Sequence, residues 1–126
     1  MQFINKNITS YEKGLLGENC AKKLLLSKGF EIIGERLKTP YGEIDILAKQ
    51  NNDIVAIEVK LRKNLDNSLE CISDLQKKRI ANSLNFIISE RNEPFENYRI
   101  DVVCLDSVGR FEYIKNAFYL EEILSS

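Results

Sequence analysis

Histidine is absent from the sequence, and this absence excludes several classes of active site. Without an imidazole the protein has no histidine general acid or base, no Ser–His or Cys–His nucleophile pair, and no histidine ligand for zinc or iron. Any catalysis must therefore use carboxylates, lysine, tyrosine, cysteine or a metal held by oxygen atoms.

Cysteine is scarce as well. Cys20, Cys71 and Cys104 are far apart and form no C-x-x-C pair, which argues against a disulfide framework and against a zinc site. We interpret them as reduced, mostly buried small hydrophobic side chains of a cytosolic protein. Residues 1–7 lack the apolar stretch of a secretory signal, and no apolar run approaches the roughly 20 residues that span a bilayer. We therefore expect a cytoplasmic location and no membrane partner.

The size and charge of the chain leave the partner open. Its 126 residues suit a single domain, spanning 1–126, with a core of its own. The net charge is −1, so no overall electrostatic field indicates a polyanionic partner. Evidence for a polyanionic partner must therefore come from local clusters of lysine and arginine.

The hydrophobic pattern predicts an α/β fold with the order α-β-β-β-α-β-β. Two successive hairpin-type strands followed by a helical crossover imply a mixed five-stranded sheet flanked by helices. Ser73 and Gln76 fit a capping box at the start of the second helix. We expect that helix to bury Leu75, Ile80, Leu84, Ile87 and Ile88. The predicted elements are helices over 10–28 and 73–90, strands over 30–37, 43–49, 54–61, 98–106 and 110–115, and a short helical turn within 117–123.

The second and third strands contain acidic residues in a repeating pattern. Residues i and i+2 of a strand share a face, so Glu43 and Asp45 should point one way and the intervening isoleucines the other. The same alternation puts Glu58 and Lys60 together on the next strand. If the apolar sides of both strands face the core, three carboxylates and one ammonium group gather on the opposite face.

Three neighbouring carboxylates repel one another unless a cation lies between them. Mg²⁺ binds through one or two carboxylates, waters and substrate phosphate oxygens, so the cluster predicts a magnesium site. Lys60 beside the metal could stabilise charge on a phosphate or orient the attacking water. A solvated strand face with mixed charges would produce the same pattern, and this structural interpretation stays open.

Further polar residues could contribute to such a site. Glu18 borders the apolar stripe of the first helix, where it is either a partly solvated surface side chain or an additional acidic group of the site. Asp101 begins an apolar strand, and we expect it to pair with Arg99 or with a lysine of a neighbouring strand. Gln76 has its capping role and could also face the site. Basic residues that could track phosphates are Arg36, Lys38, Arg62, Lys63, Lys77, Lys78 and Arg79.

Five segments together resemble the YraN family of small bacterial proteins, which are predicted to be endonucleases. The resemblance covers nearly the whole chain and rests on residues 14–18 (GLLGE), 42–45 (GEID), 58–62 (EVKLR), 99–103 (RIDVV) and 116–118 (NAF). It implies the restriction-endonuclease-like fold of the PD-(D/E)XK nuclease superfamily and a similarity to archaeal Holliday-junction resolvases.

The resemblance also implies roles for individual residues. Asp45 would be the central metal ligand, Glu58 the second ligand, assisted by the carbonyl group of Val59, and Lys60 the catalytic lysine. Glu18 would correspond to the family's acidic residue on the first helix. Arg62 matches the family's basic position after the lysine. From the residues alone, we expect Glu43 and Asp101 to support the site. We also expect Arg62, Lys63, Gln76, Lys77, Lys78, Arg36 and Lys38 to contact nucleic acid. The chain departs from the family pattern at Arg36, Lys38 and Gln76, which concerns substrate contacts rather than metal ligands.

Three hypotheses for the function follow. The first is a Mg²⁺-dependent endonuclease, with Mn²⁺ as an alternative metal, that cuts DNA, with branched DNA as one candidate substrate, as a homodimer or with a DNA-processing protein partner. The second is a catalytically weak nucleic-acid-binding module that assists recombination, repair or DNA uptake. The third is a protein-interaction domain without metal, which predicts no effect of Mg²⁺ on stability.

Overall fold

The computed structural model describes residues 9–63, 65, 72–91 and 97–118 of the chain. The order α-β-β-β-α-β-β predicted from the sequence is confirmed. The elements are α1 (Ser10–Ser27), β1 (Glu31–Thr39), β2 (Gly42–Gln50), β3 (Asp53–Leu61), α2 (Asp74–Glu90), β4 (Asn97–Leu105) and β5 (Phe111–Phe118).

The five strands form one mixed sheet in the order β1-β2-β3-β4-β5. Strands β3 and β4 are parallel, and the three other pairs are antiparallel. A parallel pair needs a crossover connection, and α2 lies within it. The predicted mixed α/β sheet is thus confirmed, and the carboxyl ends of β3 and β4 lie side by side.

Local sequence signals account for the helix boundaries. Thr9 caps α1 by accepting a hydrogen bond from the main-chain N–H of Glu12. Gly29 follows α1 with a φ of 86°, a left-handed conformation that glycine adopts without a steric penalty. The predicted capping box at the start of α2 is present, with Ser73 and Gln76 bonded reciprocally.

The helices cover opposite faces of the sheet, and each face has its own buried cluster. The cluster beneath α1 contains Ala21, Leu25, Phe30, Ile46, Ala48, Val55, Ile57, Val103 and Leu105. The cluster beneath α2 contains Ile44, Leu47, Ile54, Ala56, Ile72, Ile80, Ala81, Leu84, Ile87, Ile100, Val102 and Cys104. The sheet is therefore buried on both sides, and a polar group within it needs a specific partner or function.

Two expectations about these elements are wrong. Leu75 is 59% exposed, because at 3.6 residues per turn it lies nine residues, or half a turn in projection, from the buried Leu84. Strand β5 continues to Phe118, so 117 and 118 extend the sheet and do not start a helical turn. Residues 119–123 of that predicted turn lie outside the described part of the chain.

Two of the three cysteines and both helices lie in the described part of the chain. Cys20 and Cys104 are not joined in a disulfide, and Cys104 is buried, whereas Cys71 lies outside the described residues. None of the helices in the described ranges combines the length and the apolar character that a membrane span requires.

Candidate active site

The candidate site lies where β2 separates from β3. The ladder between these strands pairs residues from Gln50 and Asp53 up to Ile46 and Ile57, and ends there. Beyond this point the Oδ2 atom of Asp45 accepts a hydrogen bond of 2.9 Å from the main-chain N–H of Val59. The carboxylate thus takes the place of a main-chain carbonyl and is fixed between the strands.

Strand β2 is irregular at Asp45, so its side chains do not follow the simple alternation that we expected. Ile44 packs into the cluster beneath α2, whereas Ile46 packs into the cluster beneath α1. Opposite this point Arg36 has a φ of 48°, which is unusual for a residue with a side chain. Both strands of the β1–β2 pair are therefore irregular at this level. The prediction that Glu43 and Asp45 share one face relied on the alternation of side chains in a regular strand, and it therefore does not hold at this point.

Glu58 is the buried carboxylate of the site. It is 6% exposed, and among the described residues its Oε1 atom has no hydrogen-bond partner. Burial raises the pKa of Glu58 well above its usual value, and the nearby Asp45 carboxylate raises it further. The ammonium group of Lys60 acts in the opposite direction. The two acids lie close enough to share a proton, and a cation at this point would replace that proton.

A cavity of about 200 Å³ opens in front of Glu58 on the α2 side of the sheet. Glu58 and Lys60 form its wall on β3, while Gln76 and Arg79 approach from α2. The described residues that line it are Gly42, Glu43, Glu58, Lys60, Gln76, Arg79 and Ile80. Sequence reasoning placed Arg79 only in a general basic cluster. Its spacing of three residues from Gln76, which puts both on one helical face, is the signal that identifies it.

The turn before β2 is attached to α2, which fixes the edge of this cavity. The Thr39 hydroxyl contacts the Ser83 hydroxyl and the Gly42 carbonyl, each at 2.9 Å. It also accepts the main-chain N–H groups of Tyr41 and Gly42. Ser83 is fully buried, so this contact joins the half-buried Thr39 of the turn to the inner face of the helix. The positions of β2 and α2 at the cavity are thus coupled.

Glu18 and Arg36, both predicted site residues, bind each other. The Nε and Nη2 atoms of Arg36 donate to the two carboxylate oxygens of Glu18 at 2.9 and 3.4 Å. The guanidinium also lies 5.2 Å from the ring centroid of Tyr11. Glu18 is only 13% exposed and the pair lies near the irregular point of β1. Within the described ranges the partner of Glu18 is thus Arg36, not Asp45 or Glu58.

The remaining predicted basic residues do not converge on the cavity. Lys38, Lys63 and Lys78 are exposed, and they could contact a large ligand only from outside. Lys77 lies 3.8 Å from Asp74 and stacks over Phe118. Arg62 donates from Nη1 to the carbonyl of Leu61 and from its main chain to the carbonyl of Leu105.

Asp101 lies on the α1 side of the sheet, away from the cavity beneath α2. The expected pairing with Arg99 is present at 3.1 Å. Its oxygens also accept the hydroxyl group of Tyr113 and the main-chain N–H of Asn116. With three donor groups around a fully buried carboxylate, Asp101 holds β4 and β5 together.

The carboxylates at this site fit a hard cation, although two of them meet where three were expected. Nowhere in the described ranges do three or more acidic, cysteine or histidine side chains form a ligand group. Asp45 and Glu58 meet, whereas Glu43 is exposed at the mouth of the cavity. Mg²⁺ needs only one or two carboxylates when waters and phosphate oxygens complete its shell. The buried Oε1 atom of Glu58, without a partner in the described part of the chain, is the group that such an ion would satisfy.

Comparison with known proteins establishes the family. The pattern described as Uncharacterised protein family UPF0102 matches residues 17–105, which include every described residue of the cavity. A UPF0102 protein of Granulibacter bethesdensis is 34% identical over 86% of this chain and 70% of its own length. One from Dictyoglomus thermophilum is 34% identical over 85% of this chain and 97% of its own length. The chain belongs to the UPF0102 family, the YraN family of the resemblance.

Proposed function

We propose that this member of the UPF0102 family is a Mg²⁺-dependent endonuclease of the PD-(D/E)XK type, which hydrolyses DNA phosphodiester bonds in the cytoplasm. One observation carries the proposal: the buried Glu58 carboxylate, with Oε1 unpartnered among the described residues, adjoins Asp45 and shares a cavity with Lys60. A stable fold has little reason to bury a carboxyl group beside a second, half-buried one unless a ligand uses them.

The cation would be held by Asp45 and Glu58, with the Val59 carbonyl as a further oxygen donor. Asp45 is positioned for this role because Val59 fixes its Oδ2 atom and leaves Oδ1 for another partner. When bound, Mg²⁺ supplies positive charge that neutralises both acids and polarises a phosphate oxygen. Mn²⁺ favours the same oxygen ligands and is the alternative metal.

The cationic and amide groups of the cavity supply the contacts to substrate. Lys60 lies beside Glu58 on the wall of the cavity, where its ammonium group can donate to a phosphate oxygen and stabilise charge that develops there. Arg79 and Gln76 face it from α2 and can donate to the neighbouring phosphate oxygens. A phosphodiester held between β3 and α2 would thus meet donors from both sides.

The preference for DNA, including branched DNA, rests on the resemblance to Holliday-junction resolvases alone, since a fold by itself does not fix the substrate. Symmetric cutting of two strands needs two sites, so a homodimer, or a complex with a DNA-processing partner, is proposed with it.

A cleavage assay tests the proposal. Labelled duplex, single-stranded, flap and four-way-junction DNAs are incubated with the protein in Mg²⁺, Mn²⁺ or EDTA. The variants are Asp45→Asn and Lys60→Ala, with Lys23→Ala as the control because Lys23 is an exposed lysine on α1. We expect metal-dependent cleavage that falls by about 100-fold or more in both site variants and is unchanged in the control.

The other outcomes identify the alternatives. Metal-independent binding of DNA without cleavage would contradict the endonuclease and support the accessory module. A protein-interaction domain would be supported if the protein neither binds nor cleaves DNA and if Mg²⁺ leaves its thermal stability unchanged. Cleavage that survives Lys60→Ala would show that the assigned site does not perform the reaction.

A further inference from the structure

A second cavity lies on the other side of the sheet, beneath the end of α1. Its volume is about 440 Å³, within the range of roughly 300–1,000 Å³ that small-molecule sites occupy. Gln50, which lines this cavity, is five residues from Asp45, or roughly 16 Å along β2. The two cavities therefore lie at different positions along the strand and on opposite faces of the sheet. The described lining residues are Lys28, Phe30, Gln50, Arg99, Tyr113 and Lys115.

Positive charge dominates the lining, which contains three cations and, among the described residues, no carboxylate. Arg99 forms the floor and is neutralised by Asp101 and Asp53, at 3.1 Å each. Lys28 and Lys115 are exposed, and within the described ranges neither forms an ion pair. Two ammonium groups from different elements therefore face one cavity without a counter-charge from the described part of the chain.

The polar floor is held in place before any ligand arrives. Arg99 is 9% exposed, and its Nη2 atom donates to Oε1 of Gln50 at 2.7 Å. This bond leaves the amide N–H₂ group of Gln50 as a donor. The hydroxyl group of Tyr113 is bonded to Asp101, so the orientation of its ring is fixed. The floor would thus lose little conformational freedom on binding, and only the two exposed lysines would need to become ordered.

An aromatic surface lies beside the cations. Tyr113 is half-buried, its ring centroid lies 6.3 Å from that of Phe30, and the Nζ atom of Lys28 lies 4.8 Å from the Tyr113 centroid. The Lys28 ammonium lies over this ring, and because its side chain is exposed it can move aside to a phosphate. A planar base can then stack on the ring, and stacking depends little on which base is present. Ammonium donors within a few ångströms of the ring suit the phosphate attached to that base.

We propose that this cavity binds the 5′-phosphate of a nucleotide, with Lys28 and Lys115 on the phosphate and Tyr113 beneath the base. The nucleotide is either a free mononucleotide or the phosphorylated end of a nucleic-acid strand, since both present the same chemistry. The site is separate from the proposed active site and does not depend on its activity.

Amide chemical shifts of the isotope-labelled protein in EDTA, which prevents any metal-dependent cleavage, test the proposal. The probes are deoxyadenosine, deoxyadenosine 5′-monophosphate, and a short oligonucleotide with a 5′-phosphate or a 5′-hydroxyl group. We expect the monophosphate to shift the amides of Gln50, Phe30 and Tyr113, and deoxyadenosine to bind about tenfold more weakly or worse. Tighter binding of the 5′-phosphorylated oligonucleotide identifies a strand end as the ligand, and tighter binding of the mononucleotide identifies the free nucleotide.

Lysine variants locate the binding. Lys28→Ala and Lys115→Ala should each weaken the monophosphate several-fold, and the double variant by about tenfold or more, while Lys23→Ala should have no effect. The substituted lysines are exposed, so the thermal midpoints should stay within a few degrees of wild type. Equal binding of deoxyadenosine, equal binding of the 5′-hydroxyl oligonucleotide, or unchanged affinity in the double variant would each overturn the proposal.

Discussion

Replacing Glu58 by glutamine should make the metal-free protein more stable at neutral pH. The new side chain would have the same shape and no charge, and its amide N–H₂ group could donate to the Asp45 carboxylate that repels the glutamate. A buried acceptor without a partner costs about 1–3 kcal/mol, and an ionised one costs more. Glutamine keeps a buried acceptor oxygen but has no charge to bury, so the substitution removes the electrostatic part of that cost, and a gain of about 1–3 kcal/mol is expected.

This gain can be converted into a thermal midpoint. With an entropy of unfolding of about 2.1 cal/mol/K per residue, the 126-residue chain unfolds with about 0.26 kcal/mol/K. The variant should therefore melt roughly 4–11 °C higher than wild type without metal. Glu43→Gln, at an exposed carboxylate of the same cavity, is the matched control and should shift the midpoint little.

The pH dependence identifies the cause of the gain. The pKa of Glu58 is raised in the folded protein, so as pH rises the unfolded chain loses this proton first. Relative to Glu58→Gln, wild type should therefore lose stability from about pH 4 until the folded carboxyl has titrated. Below that window the difference between the two proteins should be small. A difference that does not change with pH would refute the titration of a buried Glu58.

Magnesium should first reduce the difference between the two proteins and, at concentrations of about 100 to 1,000 times its Kd, reverse their order. At a concentration about ten times its Kd, a ligand of the folded state adds about 1.4 kcal/mol, or roughly 5 °C here. Wild type and Glu43→Gln should gain this in Mg²⁺ and more at higher concentrations, whereas Glu58→Gln should gain almost nothing. Differential scanning fluorimetry from about pH 4 to 8, with a titration of Mg²⁺, measures both effects. Destabilisation by Glu58→Gln at neutral pH in EDTA would refute the reasoning.

Three further predictions concern the polar contacts that hold the fold. Asp101→Asn should lower the free energy of unfolding in urea by about 1.5–3 kcal/mol, because it removes a charged acceptor of the buried Arg99 guanidinium and leaves Asp53 as its remaining counter-charge; a loss below about 0.5 kcal/mol would contradict this. Arg110→Ala should cost under about 1 kcal/mol in the same assay, since its guanidinium is 73% exposed, and a larger loss would mean that this ion pair is not screened by solvent. Ser83→Ala should cost about 1 kcal/mol, because it removes a buried partner of the Thr39 hydroxyl. It should also weaken any stabilisation by Mg²⁺, since that contact joins the turn before β2 to α2. An unchanged thermal midpoint would show that the contact is not needed.

Short-range signals predicted most of the fold. The boundaries of α1 and α2 follow from Thr9, Gly29 and the Ser73–Gln76 capping box, whose hydrogen bonds form within three residues of chain. The exposure of Leu75 could have been predicted from the helical wheel. The extension of β5 to Phe118 could not, because it depends on pairing with Ile100 in β4, a contact between distant residues.

The sequence pattern selected Asp45, Glu58 and Lys60 as candidates but did not predict the geometry that brings them together. Asp45, Glu58 and Lys60 are recognisable from their sequence pattern, yet the pattern assumes regular strands. In the structure β2 pairs with β3 only from Ile46 onward, and the preceding Asp45 bonds through its side chain to Val59 instead of continuing the ladder. No local sequence rule predicts this separation of the strands. It results from competition between a main-chain carbonyl and the Asp45 carboxylate for the N–H of Val59.

The same irregularity explains why the cavity exists at all. A ladder continued past Ile46 would pair the main chains of β2 and β3 and leave no polar group between them for a ligand. By giving the Val59 N–H to Asp45, the chain satisfies this donor and places a carboxylate beside Glu58. The arrangement costs stability when the cation is absent, which is the reason that Glu58→Gln should stabilise the protein. A site whose loss stabilises the fold is better explained by binding than by structure.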